Sequence, residues 1–443
     1  MRIGYLLEQE EDIRRPPFNG PANHIRQVVR HLNGRGHGVT VLFRSQDRLW
    51  ATEDLKAFEP VTVRKTDLGW QRTLEGGCRR IQATLGLPYL GYFESRRFAW
   101  ACHQVLSDCD LFYERFSWMH YGGLLAARRQ GVPWILEYNG DPLADLEAQG
   151  IAPTGVQLPV ARRIMRRVLE RADHVIATGA GWQRNCIEHW HVAPERSSVV
   201  ENGTELLGLL NRNDLRSFRD GSDGPPETTV VYLGGFYPWH GIDKLLDATA
   251  LLIKQGVRLR LNLIGSGRGE TESRDHARRL GLEGIVHFLG RLTAEQYAPL
   301  LASADVGVSP YCGWPEYSGL KIFDYKAAGL ACVASGENGN PPTLRHGETG
   351  WIVPPCSEAG LAEALALLAR DVDLRRRLGR AARQDAERRN DWTQTARNLE
   401  AVFHRVTGGR GVGAVRGRKT AGGGMTRLTS TPELQQSHPT VRR

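Results

Sequence analysis

Residues 228–264 read TTVVYLGGFYPWHGIDKLLDATALLIKQGVRLRLNLI. Val230 to Leu233 form an apolar run of strand length, and Gly234 and Gly235 break it. The loop Phe236-Tyr237-Pro238-Trp239-His240-Gly241 follows, after which Ile242, Leu245 and Leu246 begin the buried stripe of an amphipathic helix. Gly256 stops that helix, and Leu259 to Ile264 predict a second strand. Strand, helix and strand in this order make a crossover unit, which sets the two strands parallel and lays the helix on their sheet.

The same order stands at the amino terminus. Residues 1–6 (MRIGYL) predict a strand, and its loop closes with Phe18-Asn19-Gly20-Pro21. Ile25, Val28, Val29 and Leu32 then carry the i, i+3, i+4, i+7 spacing of a helix face. Gly34 and Gly36 end that helix before the strand Gly38 to Leu42. A chain of 443 residues exceeds what one core usually serves. The expected fold is therefore α/β, with two Rossmann-like domains facing each other across a cleft. Ligands of such sheets sit beyond the carboxyl ends of the strands, so both walls of the cleft should bind. The expected divisions are a domain over 1–210 and a polar, Gly- and Pro-containing linker over 211–227. A second domain over 228–390 and a helix over 391–407 that packs back toward the first domain complete the ordered chain.

Residues 408–443 hold seven Arg and Lys against one Glu, and so carry six of the nine net positive charges. Rich in Gly and without apolar period, this tail is expected to be disordered. A solvated tail without a partner is the commoner case, so nucleic acid is not an expected partner. An apolar fraction of 41% suits a globular chain, and no run approaches the length of a membrane span. The apolar stretch Ile3 to Leu7 is too short for a secretory signal, which points to the cytoplasm. Seven cysteines stand singly, without a CxxC pair, and are expected to be reduced thiols.

The chemistry concentrates in Glu316-Tyr317-Ser318-Gly319-Leu320-Lys321-Ile322-Phe323-Asp324. A helix beginning near Gly319 leaves free backbone N–H groups that favour a phosphate. Lys321 opposes the helix dipole there, which an anionic ligand would explain. Asp324, one turn on, could accept hydrogen bonds from a pair of ribose hydroxyls. Pro133 to Gly140 (PWILEYNG) predict a strand that opens into a loop at Asn139.

The spacing of Glu316 and Asp324 resembles the EX7E region of glycosyltransferase family 4, retaining enzymes of the GT-B fold, with Asp where the family usually has Glu. Arg35 to Val39, Glu201-Asn202-Gly203-Thr204 and Gly265-Ser266-Gly267 resemble further family stretches in the same order. The resemblance implies transfer of a sugar from a UDP- or GDP-sugar to a glycan, lipid-linked or small-molecule acceptor. It implies donor contacts at Gly20, Gly235, His240, Gly265, Gly319, Leu320, Lys321 and Asp324, and catalytic roles for Glu316, Asn139 and His240. Gly235 and His240 stand where the family commonly has Arg and Lys, so the Trp239-His240-Gly241 loop is read as a branch variant. Asn139 takes a place where many members have His. A histidine beside a diphosphate is drawn toward its charged form, and donor affinity is then expected to fall from pH 6 to 8.

No cofactor and no metal are expected. Asp108-Cys109-Asp110 and Asp371-Val372-Asp373 match a DxD pattern, but precede a strand and open an Arg-rich helix, which fits chance. An anionic membrane is a candidate partner through helix 160–171, where Arg162, Arg163, Arg166, Arg167 and Arg171 flank an apolar stripe. Tyr89, Tyr92, Phe93, Phe98 and Trp100 could add a second such surface. The alternative function is a non-catalytic sugar-nucleotide-binding subunit. A dinucleotide oxidoreductase is disfavoured, because neither loop offers GxGxxG.

Overall fold

The computed structural model describes residues 1–16, 18, 20–63, 69–85, 91–148, 150–210, 227–313, 319–337 and 341–408. The first half carries strands β1 (Arg2–Glu10), β2 (Gly38–Ser45), β3 (Arg48–Thr52), β4 (Glu59–Val61), β5 (Leu111–Arg115), β6 (Trp134–Tyr138), β7 (His174–Ala177) and β8 (Ser197–Val199). They form one sheet in the order β4-β3-β2-β1-β5-β6-β7-β8, parallel except for the β2–β3 and β3–β4 pairs. Its helices are α1 (Gly20–Gly34), α2 (Gly69–Thr84), α3 (Tyr92–Val105), α4 (Gly122–Gln130), α5 (Pro142–Ala148), α6 (Gln157–Glu170) and α7 (Ala180–Glu188).

The period of two along β1 sorts its side chains between two layers. Ile3, Tyr5 and Leu7 pack with Ile25, Val28, Val29 and Leu32 of α1, while Leu6 packs with Phe98, Ala101 and Leu124 of α3 and α4. Helices on both faces explain why the strands read as continuous apolar runs rather than alternating ones.

After α8 (Leu206–Leu209), the second half holds β9 (Thr228–Leu233), β10 (Leu259–Ile264), β11 (Val286–Gly290), β12 (Val306–Ser309), β13 (Ala331–Ser335) and β14 (Trp351–Val353). Their order is β11-β10-β9-β12-β13-β14, and the pairs are parallel. Helices α9 (Ile242–Lys254), α10 (Glu270–Arg279), α11 (Ala294–Ser303), α12 (Leu320–Ala327), α13 (Glu358–Arg370) and α14 (Val372–Arg389) cover this sheet. Lys326 of α12, 1% exposed, donates to Asp385 at 2.5 Å and to Asn390 at 3.0 Å, riveting α12 to the end of α14.

The two halves are joined twice. The chain crosses once near Thr204, whose N–H donates to the Asn390 carbonyl at 2.9 Å, and Leu206 and Leu210 already pack in the second core with Tyr325 and Leu330. It returns through α15 (Trp392–Gly408), where Trp392, Leu399, Val402 and Phe403 complete the core of the first half. Most of the expected linker, 211–226, and the tail, 409–443, lie outside the described residues. Among the described residues, no helix is long and apolar enough to cross a membrane.

Candidate active site

The loop after β9 is shaped by glycine. Gly241 caps α9 with φ +62°, and a Cβ there would overlap the Pro310 carbonyl oxygen. Only glycine allows that approach, which seats the 3-10 turn Pro238–His240 against the segment after β12. The Cys312 N–H donates to the Trp239 carbonyl at 3.0 Å from the same segment. His240 is fixed by this arrangement. Its Nδ1–H donates to the Gly235 carbonyl at 2.6 Å and lies 2.8 Å from the Tyr232 hydroxyl, and its Nε2 accepts from Tyr311 at 3.1 Å.

Lys321 sits in the first turn of α12 with its side chain buried. Its Nζ lies 4.4 Å from the ring centre of Tyr311 and 5.0 Å from that of Tyr232, so two aromatic faces support the cation. Burial, reinforced by Lys321, pushes His240 down to about 3. The sequence expectation of a charged ring applies to His240 beside a bound diphosphate. Without a ligand the ring is neutral, because it is desolvated beside a cation, and the bond it donates to the Gly235 carbonyl only partly opposes this.

Gly319 begins α12 with φ +59°, and the α12 start meets the start of α1. A Cβ built on Gly20 would lie 3.7 Å from Leu320 Cδ1. The start of α1 thus stands beside the Leu320 side chain, one residue from Lys321 at the start of α12, and a helix start is a favourable surrounding for an anion. At Gly265, another expected donor contact, a Cβ would overlap the Gly234 carbonyl oxygen, so glycine lets it pack against the loop after β9. Gly235 turns under the Tyr237 ring, 2.6 Å from where its Cβ would stand.

Asp324 is half-buried at the junction. Its carboxylate accepts from Thr204 at 2.5 Å and from Tyr297 at 3.0 Å. Burial raises it to about 7 against the pull of these two hydroxyls, and Glu205 adds to the rise. Glu205 is itself held by Asn23 at 2.9 Å and Gln27 at 2.7 Å, both from α1. Glu316 lies outside the described residues.

Asn139 donates to Glu137, the centre of a cluster that sequence reasoning passed over. Glu137 is inaccessible to solvent, accepts from Tyr5 at 2.8 Å, and lies 2.8 Å from His24 and 3.9 Å from Arg115. Burial works to raise its pKa, but His24 and Arg115 outweigh it and hold the carboxyl well below the usual range. The signal was available: a glutamate inside the buried run Trp134–Tyr138 needs a partner. Tyr232, Tyr311, Tyr297 and Thr204 were likewise not singled out as side chains that shape the site.

The DxD matches have ordinary roles. Asp108 and Asp110 bond to Arg2, and Asp371 caps α14 by accepting the Leu374 N–H at 2.8 Å. Cys312 and Cys356 are joined as a disulfide, which corrects the expectation of seven thiols. The 44-residue span between them gave no CxxC-like cue, because the pairing depends on the loops after β12 and β14 meeting. Of the surfaces proposed for a membrane, α6 turns Ala161, Met165, Val168 and Leu169 inward and leaves its arginines outside. Phe98 is buried, Trp100 lies under Arg129, and Tyr89 lies outside the described residues.

Residues 19–203 match the family described as glycosyl transferase 4-like domain, and residues 217–385 match glycosyl transferases group 1. D-inositol 3-phosphate glycosyltransferase of a Nocardioides species is 30% identical, the match covering 68% of this chain and 69% of that protein. The protein of the same name from Streptomyces scabiei is also 30% identical, over 65% of this chain and 66% of its own length. Sucrose-phosphate synthase from Thermosynechococcus elongatus shares the fold with a TM-score of 0.66 at 20% identity, over 91% of this chain and 98% of that one. The HepE protein of Anabaena, solved with UDP-glucose, gives 0.62 at 19% identity, over 91% and 100%. With both halves matched in chain order, this chain belongs to the family 4-like glycosyltransferases of the GT-B fold.

Proposed function

We propose that the chain moves a sugar, with retention of anomeric configuration, from a nucleotide diphosphate sugar to a glycan or lipid-linked acceptor. The observation that carries this reading is the meeting of Lys321, His240 and the α12 start with Gly20 at the start of α1. A diphosphate placed there meets a buried cation and two sets of helix N–H groups, which stabilise charge as it develops on the leaving group without a metal. The acceptor hydroxyl oxygen bonds to the anomeric carbon as the bond from that carbon to the diphosphate breaks. The hydroxyl proton passes to a diphosphate oxygen.

In this reading the lone pairs of Asp324 left by Thr204 and Tyr297 take the ribose hydroxyls, and those two residues fix the carboxylate. Glu316 and Asn139 hold sugar hydroxyls, Gly235 and Gly319 let backbone approach the donor, Leu320 contributes its N–H, and Gly265 supports the loop. The Trp239–Gly241 loop is a branch variant in which aromatic and histidine contacts replace a basic pair. The domains divide at 1–210 and 228–390, with 391–407 tying them together. The UDP-glucose held by the HepE protein favours a UDP-sugar over a GDP-sugar as the first donor to test.

We further propose work at the cytoplasmic face of an anionic membrane. Ile151, Val156 and Val160 are exposed beside the outward arginines of α6, which gives the pairing of apolar and basic groups that such a surface needs. Thermal shift with a panel of UDP- and GDP-sugars, then product analysis with the best donor, tests the function. A panel in which no nucleotide sugar raises Tm overturns it. Equal pelleting with neutral and anionic liposomes removes the membrane contact.

A further inference from the structure

β6 ends at Tyr138, and Asn139 follows at the carboxyl end of the first sheet, where ligands of parallel strands sit. One buried charge at this strand end has no part in the transfer steps above. Glu137 is inaccessible to solvent between β5 and β7, and its two oxygens draw groups from three strands and a helix. Oε1 lies 2.8 Å from His24 Nε2 of α1 and 3.9 Å from Arg115 of β5, and it accepts from the Asn139 amide. Oε2 accepts from Tyr5 of β1 at 2.8 Å. An apolar side chain would close the sheet here at lower cost than a buried charge.

What the charge adds is direction. Burial alone would raise the Glu137 carboxyl, yet His24 and Arg115 hold it well below the usual range, so it is ionised. An ionised carboxylate only accepts hydrogen bonds, and Asn139 can face it only with its NH₂ group. The Asn139 carbonyl oxygen is then left for another partner. Asn139 is half-buried, and among the described residues that oxygen makes no hydrogen bond. His24 ties the same carboxylate to the donor wall. It follows Gly20 by one turn of α1, and its ring meets Trp392 of α15 edge-on at 5.6 Å. Glu137 thus holds Asn139 and the start of α1 in one frame.

We infer that Glu137 is a positioning residue, which fixes the Asn139 amide with its carbonyl oxygen free to accept a hydroxyl of the donor sugar. The inference rests on the transferase reading above, in which Asn139 meets that sugar. Glu137 never touches the donor and acts on it through Asn139.

The test uses the full chain at pH 8, titrated by calorimetry with the nucleotide sugar that raises Tm most and with its parent nucleoside diphosphate. An amide at 137 both donates and accepts, so it no longer decides which way Asn139 turns. Glu137→Gln and Asn139→Ala should each weaken nucleotide-sugar binding by about fivefold or more, as loss of one hydrogen bond does. The diphosphate Kd should stay within about twofold, which also shows that the variants fold. Glu137→Gln/Asn139→Ala should lose no more than Asn139→Ala alone. Asn139→Asp sets two carboxylates in contact and should lose as much as Asn139→Ala. Glu137→Gln/Asn139→Asp again places a donor against an acceptor and should recover to within about threefold of wild type.

A carboxylate that only supports the fold gives losses that multiply and no recovery, and either result overturns the inference. Should Glu137→Gln fail to fold, Asn139→Asp decides alone, because wild-type sugar binding in that variant shows that no fixed charge faces residue 139. Unchanged sugar binding in Asn139→Ala also overturns the inference. A wild-type chain that binds no nucleotide sugar overturns the transferase reading itself.

Discussion

Replacing Asp324 with Asn should make the protein increasingly more stable than wild type as pH rises from 4 to 7. Asp324 is half-buried, and loss of water around its carboxyl lifts it from an ordinary 3.8 to about 7 in the folded chain. An acid raised in this way binds a proton more tightly folded than unfolded. Stability is then greatest below the unfolded value and is lost as pH climbs to the folded one. The gap is about a thousandfold in proton affinity, or about 4 kcal/mol at 1.4 kcal/mol per tenfold. Somewhat under 2 kcal/mol of that is already lost by pH 5, which leaves about 2–3 kcal/mol between pH 5 and pH 8.

The amide introduced by Asp324→Asn carries no charge, so the variant escapes this loss. It can still bond to Thr204 and Tyr297 through its carbonyl and NH₂ groups, and any mismatch adds an offset that does not vary with pH. For a cooperative unit the size of one half of the chain, about 150–250 residues, the Tm gap between Asp324→Asn and wild type should widen by about 5–10 °C from pH 5 to pH 8. Differential scanning calorimetry at pH 5, 6, 7 and 8 reads it directly. A gap that stays constant over this range would refute the reasoning, because Asp324 would then be ionised throughout at no cost.

Other outcomes follow from the same geometry. Lys321→Met should keep the packing on Tyr232 and Tyr311 but weaken UDP binding by about 10- to 100-fold in calorimetry, as loss of a charge-assisted contact does; an unchanged Kd would remove Lys321 from the donor site. Since His240 stands at about 3, any charge it carries at pH 6 must arrive with the donor. Titrations in buffers of different ionisation enthalpy should show His240→Gln taking up fewer protons than wild type, by up to about one; equal uptake counts against a phosphate contact. Gly241→Ala should lower Tm by at least about 5 °C, because it combines φ +62° with an overlap at Pro310. Alkylation of the unfolded, unreduced chain should label five cysteines, and reduction should raise the number to seven.

The fold was legible because apolar periodicity is a local property. Leu259–Ile264 could be bounded from its own residues and their glycines, and β10 has those limits. The amino-terminal strand ran four residues past the expected Leu6, because Glu8 and Glu10 read as polar loop. Glu8 is instead buried by α3 and α4, which no window along β1 could reveal. The site divides in the same way. Lys321 and Gly319 announced themselves through helix-start chemistry within one turn of chain. The neutral His240, the Asp324–Thr204 bond over 120 residues and the Cys312–Cys356 pair all depend on which loops the topology brings together. Sequence indicated which residues carry chemistry, but their protonation states are tertiary facts.

Those protonation states change what a pH profile can say about the donor site. From sequence, His240 alone implied an affinity that falls between pH 6 and 8. The structure sets Asp324 against it. Ribose hydroxyls donate to an ionised carboxylate, so a bound donor favours loss of the Asp324 proton and affinity gains from rising pH. A diphosphate favours a proton on His240 and affinity gains from falling pH. One group lies near 7 and the other near 3, so the first titrates across the working range while the second contributes only if the donor raises it by several pH units. A flat profile in the wild type is therefore consistent with both contacts being made. The two contributions separate only when each side chain is replaced in turn and the proton count, rather than the affinity, is compared.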